Sequence, residues 1–193
     1  MKVLSERYQL IEKKLPAFAA PRARRTRYYL ADNFLRAWLA ALAGPVAALN
    51  FRPVDQLVAD ADRRLHEVEG RAFEKLVGVL YEERSRKGVG DFPLTERVRG
   101  YWDRDDTEID LVALNETAEV IRVGSCKRAA EELVRGVAVF DGHVRRFLEQ
   151  FPPYARWRVE RVSLAPRIPE AIRRALAGHG HLVQDLTDLI SPL

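Results

Sequence analysis

Two β-prone runs joined by a hairpin-sized turn constrain this chain most. Glu108-Ile109-Asp110-Leu111-Val112-Ala113-Leu114 is followed by Asn115-Glu116-Thr117-Ala118 and then by Val120-Ile121-Arg122-Val123-Gly124-Ser125-Cys126. Branched, apolar runs of this length bounded by turn formers are expected to pair as antiparallel strands. Asp110 is an acid inside an apolar run, and Lys127 directly follows the second run. Side chains alternate along a strand, so Glu108, Asp110 and Val112 are expected on one face, and Ser125 and Lys127 on one face of the neighbour. Pairing through the Asn115 turn would bring Asp110 and Lys127 to the same end.

The surrounding pattern predicts helices and strands in the order α-β-β-β-α-β-α-β, a mixed α/β sheet flanked by helices. A helical run from Val54 to about Arg86, with a joint at Gly70, carries Phe73, Leu76, Val77, Leu80 and Tyr81 on an apolar face. A first strand is expected over 96–102. After Lys127, the stripe Leu133, Val137, Phe140, Val144, Phe147 and Phe151 predicts a helix over 129–151, ended by Pro152-Pro153. A strand over 157–164, a helix over 169–177 opened by Pro169 and closed by Gly178, and a last strand over 181–186 complete the unit.

Ahead of it, 32–49 reads as an amphipathic helix with Phe34, Leu35, Trp38, Leu39 and Leu42 at helical spacing. Asp32 or Asn33 would cap it and Gly44-Pro45 would interrupt it. Its aromatic residues are expected to pack in a core. The segment from Val3 to Leu30 reads as a helix end, a strand, a basic loop and a strand. That is the form of a wing in a winged-helix DNA-binding domain. Arg22, Arg24, Arg25 and Arg27 crowd the loop and are either a phosphate-contacting set or a solvated basic loop. Three segments result: 1–31 as a wing, 32–69 as a helical linker, and 70–193 as the α/β unit.

Composition narrows the function classes. The chain has 193 residues, is 47% hydrophobic and 31% charged, and carries a net charge of +4, so one folded core, or one core plus an appendage, is expected and nucleic-acid binding is permitted without being demanded. The apolar stretch from Phe34 to Leu49 is broken by Arg36, Gly44 and Pro45, which argues against a membrane span. Glu6 and Glu12 argue against a secretion signal, so the cytoplasm is the expected compartment. A single cysteine, Cys126, excludes an intrachain disulfide and a cysteine-based zinc site. His66, His143, His179 and His181 lack ligand spacing. No phosphate-cradling glycine loop is present, so no ATP or dinucleotide site is expected.

Phosphodiester hydrolysis with a divalent metal needs clustered oxygens, an activated water and a positive group near the attacked phosphate. Asp110 supplies a carboxylate, and Lys127 could orient water or stabilise developing charge. Glu74 could add a second acid from the helix, with Gly70 and Gly78 four residues to either side leaving a smooth strip. The plainer readings are a solvated edge charge for Glu74 and a solvated strand end for Lys127. Cys126 reads as a small buried hydrophobe.

A family resemblance runs along nearly the whole chain. Tyr28-Tyr29-Leu30-Ala31-Asp32-Asn33-Phe34-Leu35-Arg36-Ala37-Trp38, Gly70-Arg71-Ala72-Phe73-Glu74, Tyr101-Trp102-Asp103-Arg104 with Glu108 to Ala113, Val123-Gly124-Ser125-Cys126-Lys127, and 181–189 resemble the C-terminal region of archaeal-type AAA P-loop ATPases. In that family a domain of unknown function, similar to the PD-(D/E)XK restriction-endonuclease-like fold, follows an ATPase domain and a winged helix. The resemblance implies acids at Glu74 and Asp110 that hold a metal, a glutamate at position 125, and a lysine at 127. Position 125 departs, because Ser125 stands there. Serine is a poor Mg²⁺ ligand, so Mg²⁺ is expected to bind weakly. Glu108, Glu131 or Glu132 could replace the missing acid. Three functions follow as expectations: a nucleic-acid-binding or regulatory nuclease-like domain with a degenerate site, associated with an archaeal-type P-loop ATPase and with DNA as the expected nucleic acid; an active Mg²⁺-dependent deoxyribonuclease with a relocated acid; or an interaction module for a P-loop ATPase on another chain.

Overall fold

The computed structural model describes residues 3–20, 25–191 and 193. The chain divides into two compact units, residues 1–15 with 19–72, and residues 16–18 with 73–193.

In the first unit a π-helical turn, Val3–Arg7, precedes strands β1 (Ile11–Lys14) and β2 (Arg27–Leu30). These pair antiparallel, Ile11 opposite Leu30 and Lys14 opposite Arg27. The expected strand–loop–strand ribbon is therefore present. Helix α1 (Asn33–Ala37) begins where Asp32, in extended conformation, accepts the Leu35 amide at 2.6 Å. That bond satisfies one of the unpaired amides of the first turn. A π-helical turn, Trp38–Leu42, leads into α2 (Ala43–Ala47). The interruption thus precedes Gly44-Pro45, which lie in the first turn of α2. Pro45 has no amide to give to Ala41, and widening the preceding turn accommodates this.

Two expectations fail in this unit. Phe34 and Phe51 are 73% and 77% exposed, and Trp38 and Leu39 are also exposed, so this face is not core. The small residues Ala41 and Ala48, with Leu57, are buried instead. Helix α3 (Val54–Arg86) runs unbroken for 33 residues through Gly70. A helical glycine costs about 1 kcal/mol relative to alanine but leaves the hydrogen-bond ladder intact. The division between the units falls within this helix, just after Ala72.

The second unit is built on five strands: β3 (Arg99–Trp102), β4 (Glu108–Asn115), β5 (Val120–Cys126), β6 (Arg158–Leu164) and β7 (Leu182–Gln184). They lie in sequence order, with β3, β4 and β5 antiparallel and β5, β6 and β7 parallel. Each parallel step needs a crossover, supplied by helices α4 (Ala130–Gln150) and α5 (Glu170–Gly178). The mixed α/β sheet flanked by helices is as expected. One face packs Phe73, Val77, Leu80 and Tyr81 of α3 on Leu111, Ala113, Cys126, Val162 and Leu164. The other packs Phe140, Val144 and Phe147 of α4 on Ile109, Val112, Ile121 and Val123. With helices on both faces, β5 is buried throughout except at Ser125.

Three boundaries differ from expectation. Strand β3 starts at Arg99 and not at 96. Pro169 is the N-cap of α5, and Gly178 is its last residue. The last strand is shorter, and a helix α6 (Leu186–Ile190) follows it. Asp185 caps that helix and Asp188 closes the reciprocal bond, 2.9 Å from the Asp185 amide. Among the described residues no helix is long and apolar enough to cross a membrane.

Candidate functional site

The site starts from a β-bulge. Val112 pairs with Arg99 and Ile109 with Tyr101, so β4 advances three residues while β3 advances two. The extra residue falls at Asp110–Leu111. Alternation is therefore broken there. Ile109 and Val112 both face α4, and Leu111 faces α3. The expected sharing of one face by Glu108, Asp110 and Val112 does not hold. Gly100 lies across the bulge, where a Cβ would come within 3.4 Å of the Ile109 and Asp110 carbonyl oxygens.

Beyond the bulge β4 and β5 part. Their ladder runs from Asn115 opposite Val120 to Leu111 opposite Gly124, and the next pair in that register would be Asp110 and Ser125. The Asp110 carboxylate fills the gap by accepting the Cys126 amide at 2.7 Å. Lys127 Nζ lies 4.0 Å from the same oxygen, Oδ2. Strand β5 stays tied to β6 through the Lys127 amide, which donates to the Leu164 carbonyl at 2.9 Å. Gly124 makes this packing possible: a Cβ there would lie 2.9 Å from Val162 Cγ1 and 3.1 Å from both Leu111 Cβ and Leu164 Cδ1.

Burial pushes the Asp110 carboxyl up, and Glu108 adds to this. Lys127, the Cys126 amide and His143 oppose it. Burial also drives the Cys126 thiol well above its ordinary range, reinforced by the charges of Asp110 and Glu74 and opposed by Lys127. Asp110, Cys126 and Lys127 are thus in direct array, and Glu74 acts on the same thiol from α3. Ser125 faces α4 by alternation with Ile121 and Val123, and pairs with Ser163 on β6. Glu108, Glu131 and Glu132 are exposed. Among the described residues no group of three or more His, Cys, Asp or Glu side chains gathers closely enough to hold a metal ion. The donors present therefore do not fit a complete Mg²⁺ site, which needs several charged or strongly polar oxygens. Of the basic loop, Arg22 and Arg24 lie outside the described residues. Arg25 and Arg27 are half-buried in the first unit, with Arg27 opening β2.

Two polar clusters escaped sequence reasoning. His143 Nδ1, on α4, lies 3.0 Å from the Glu108 amide and 2.8 Å from the Glu108 carbonyl oxygen. One turn on, Arg146 Nε donates to Thr107 Oγ1 at 3.0 Å. Their i, i+3 spacing beside the apolar stripe was the available signal. The second cluster runs from Ser163 Oγ to His181 Nδ1 at 2.9 Å, and from His181 Nε2 to Asp141 Oδ1 at 3.2 Å. Ser163 and His181 are 2% and 4% exposed, too buried to meet a substrate, so this Ser-His-Asp line is a structural tie. With Nε2 protonated it donates to Asp141, while Nδ1 accepts from the Ser163 hydroxyl.

A family model described as archaeal and bacterial proteins of unknown function matches residues 38–137, about half of the chain. The matched stretch includes Glu74, Asp110, Ser125 and Lys127. No curated protein matches the chain, and no solved structure does.

Proposed function

We propose, from the premise that the chain belongs to the DUF234 family of archaeal and bacterial proteins of unknown function, that its second unit is a restriction-endonuclease-like domain that binds DNA and whose cleavage site is incomplete at Ser125. The observation that carries this reading is the Asp110 carboxylate beside Lys127 where β4 and β5 part. A carboxylate and an ammonium at the splayed end of two strands are what a PD-(D/E)XK-type site requires, and the order helix, three antiparallel strands, helix, parallel strand agrees with it. Position 125 is the next residue in register, so a glutamate there would complete a cluster that serine leaves short. Without it the site holds Mg²⁺ weakly and presents Lys127 to a phosphate. The β1–β2 ribbon with Arg22, Arg24, Arg25 and Arg27 would act as a wing on the DNA backbone. A DNA-binding protein with a reduced, buried Cys126 suits the cytoplasm.

The test is a DNA-binding titration across salt concentration. Affinity should fall steeply with salt, and neutralising all four arginines should flatten the log–log slope by about 3–4 units. An unchanged slope would return the loop to plain solvation.

A second reading is favoured by one observation, the exposed Phe34, Trp38, Leu39 and Phe51 of the first unit. Phe34 and Trp38 stack with ring centroids 6.4 Å apart, and contiguous exposed apolar surface marks interaction sites. On that reading the chain is an interaction module, and a P-loop ATPase supplied by another chain is the partner. Salt-independent DNA binding with stable capture of such an ATPase would favour it.

A further inference from the structure

Strand β4 is held at its start by one face of α4. His143 Nδ1 meets both backbone polar atoms of Glu108, at 3.0 Å from the nitrogen and 2.8 Å from the oxygen. Arg146 Nε holds Thr107 at 3.0 Å. The next residue, Ile109, is 1% exposed and packed against Val144 and Phe147 on the same helix face. Asp110 follows immediately, at the bulge. A bulged residue has lost its ladder partner, so its direction is set by what fixes the strand before it. Here that is α4.

We infer that His143 is a positioning residue for Asp110, acting through Nδ1 on the Glu108 backbone so that the carboxylate reaches the Cys126 amide. In either neutral tautomer Nδ1 stays engaged. Unprotonated, it accepts the Glu108 N–H; protonated, it donates to the Glu108 carbonyl. The ring nitrogen that meets that backbone is Nδ1. The clamp therefore belongs to one nitrogen, which makes it chemically distinguishable. What Asp110 does rests on the nuclease-like reading above; how His143 holds it does not.

Two amide substitutions separate the nitrogens. Asparagine places a polar atom near Nδ1, and glutamine places one near Nε2. The readout is the Cys126 backbone amide in the ¹⁵N-labelled full chain, whose proton the carboxylate acceptor at 2.7 Å should shift downfield and protect. His143→Asn should keep the Cys126 shift and protection. His143→Gln and His143→Ala should lose the downfield shift and exchange about tenfold faster, the scale of one hydrogen bond to a charged group. The Val123 and Val162 amides, within the sheet, report whether the fold is intact. If His143→Ala loses them too, the Asn and Gln pair decides. Rescue by Gln and not Asn would overturn the inference, as would an unchanged Cys126 amide in all three. Mn²⁺ affinity, measured in the Ser125→Glu background, should follow the same order. Failure of every such protein to bind Mn²⁺ would count against the nuclease-like reading, while the Cys126 amide would still decide the role of His143.

Discussion

Arg122 and Asp110 are both charged side chains set into the adjacent strands β5 and β4, and they are served very differently. Arg122 is 2% exposed and saturated. Its guanidinium donates to Asp91 at 2.8 Å and to Glu160 at 2.7 Å, and it lies 4.5 Å over the Phe92 ring. Asp110, whose side chain is 13% exposed, has one backbone amide and a lysine 4.0 Å away. A buried charge with all its partners inside the fold serves the fold. On the proposed reading, a charge left short, at a bulge, beside a half-exposed lysine and next to a parting of strands, serves something outside the fold.

That contrast is most directly broken at Arg122. Arg122→Ala should cost roughly 3–5 kcal/mol, because it empties a buried site and takes from the largely buried Glu160 its 2.7 Å partner, leaving the exposed Arg158 at 3.1 Å. Chemical denaturation checks this, and a loss below about 1 kcal/mol would contradict the saturated-cluster account. Gly124→Ala comes next. The added methyl meets Leu111, Val162 and Leu164, and overpacking of this kind costs about 1–3 kcal/mol. The same measurement checks it.

Asp110 should behave in the opposite sense. Its carboxyl is pushed up by burial, so the fold favours the protonated form, and this group makes the fold more stable as pH falls toward the ordinary carboxylate range. Asp110→Asn keeps an acceptor for the Cys126 amide and removes the buried charge. Stability at neutral pH should hold or rise, with no loss beyond about 0.5 kcal/mol. A large loss would make Asp110 a structural residue like Arg122.

His181 gives the smallest effect. Burial lowers its pKa against the opposing pull of Asp141, so the fold holds it neutral. Its contribution is present above the ordinary imidazole value of 6.5 and is lost as pH falls from there toward the lowered folded value. His181→Gln should flatten thermal stability between about pH 7 and 5 relative to the parent. An unchanged profile would remove His181 from the account.

How far the sequence carried these assignments varied with local physics. The β4–β5 hairpin and the α4 stripe were legible because helices cover both sheet faces and leave long apolar runs at the right period. The bulge at Asp110 was not, since a period of two has no symbol for an extra residue. Gly100 was its one trace, because an isolated glycine in a strand marks a bulge. Helix α6 was missed although Asp185 and Asp188 spell its cap. The apolar face of Phe34 and Trp38 misled, because spacing reports amphipathicity and not what covers the face. Arg122 drew no reading from the sequence, because its partners Asp91 and Glu160 lie 31 and 38 positions away. Glu74 and Asp110 were picked out by type and order, and their common action on Cys126 is a property of the fold alone.

The central claim is that the parting of β4 and β5 is a nuclease-like site short of one acid. It is tested most directly by titrating Mn²⁺ into the unmodified chain and Ser125→Glu, followed by a plasmid-nicking assay with Asp110→Ala and Lys127→Ala in both backgrounds. The account predicts weak Mn²⁺ binding and no robust nicking by the unmodified chain. In Ser125→Glu, Mn²⁺ should bind at least about tenfold more tightly, and any nicking gained should be lost with Asp110→Ala or Lys127→Ala. Robust nicking by the unmodified chain that disappears with Asp110→Ala, or no gain in Mn²⁺ affinity with Ser125→Glu, would contradict it.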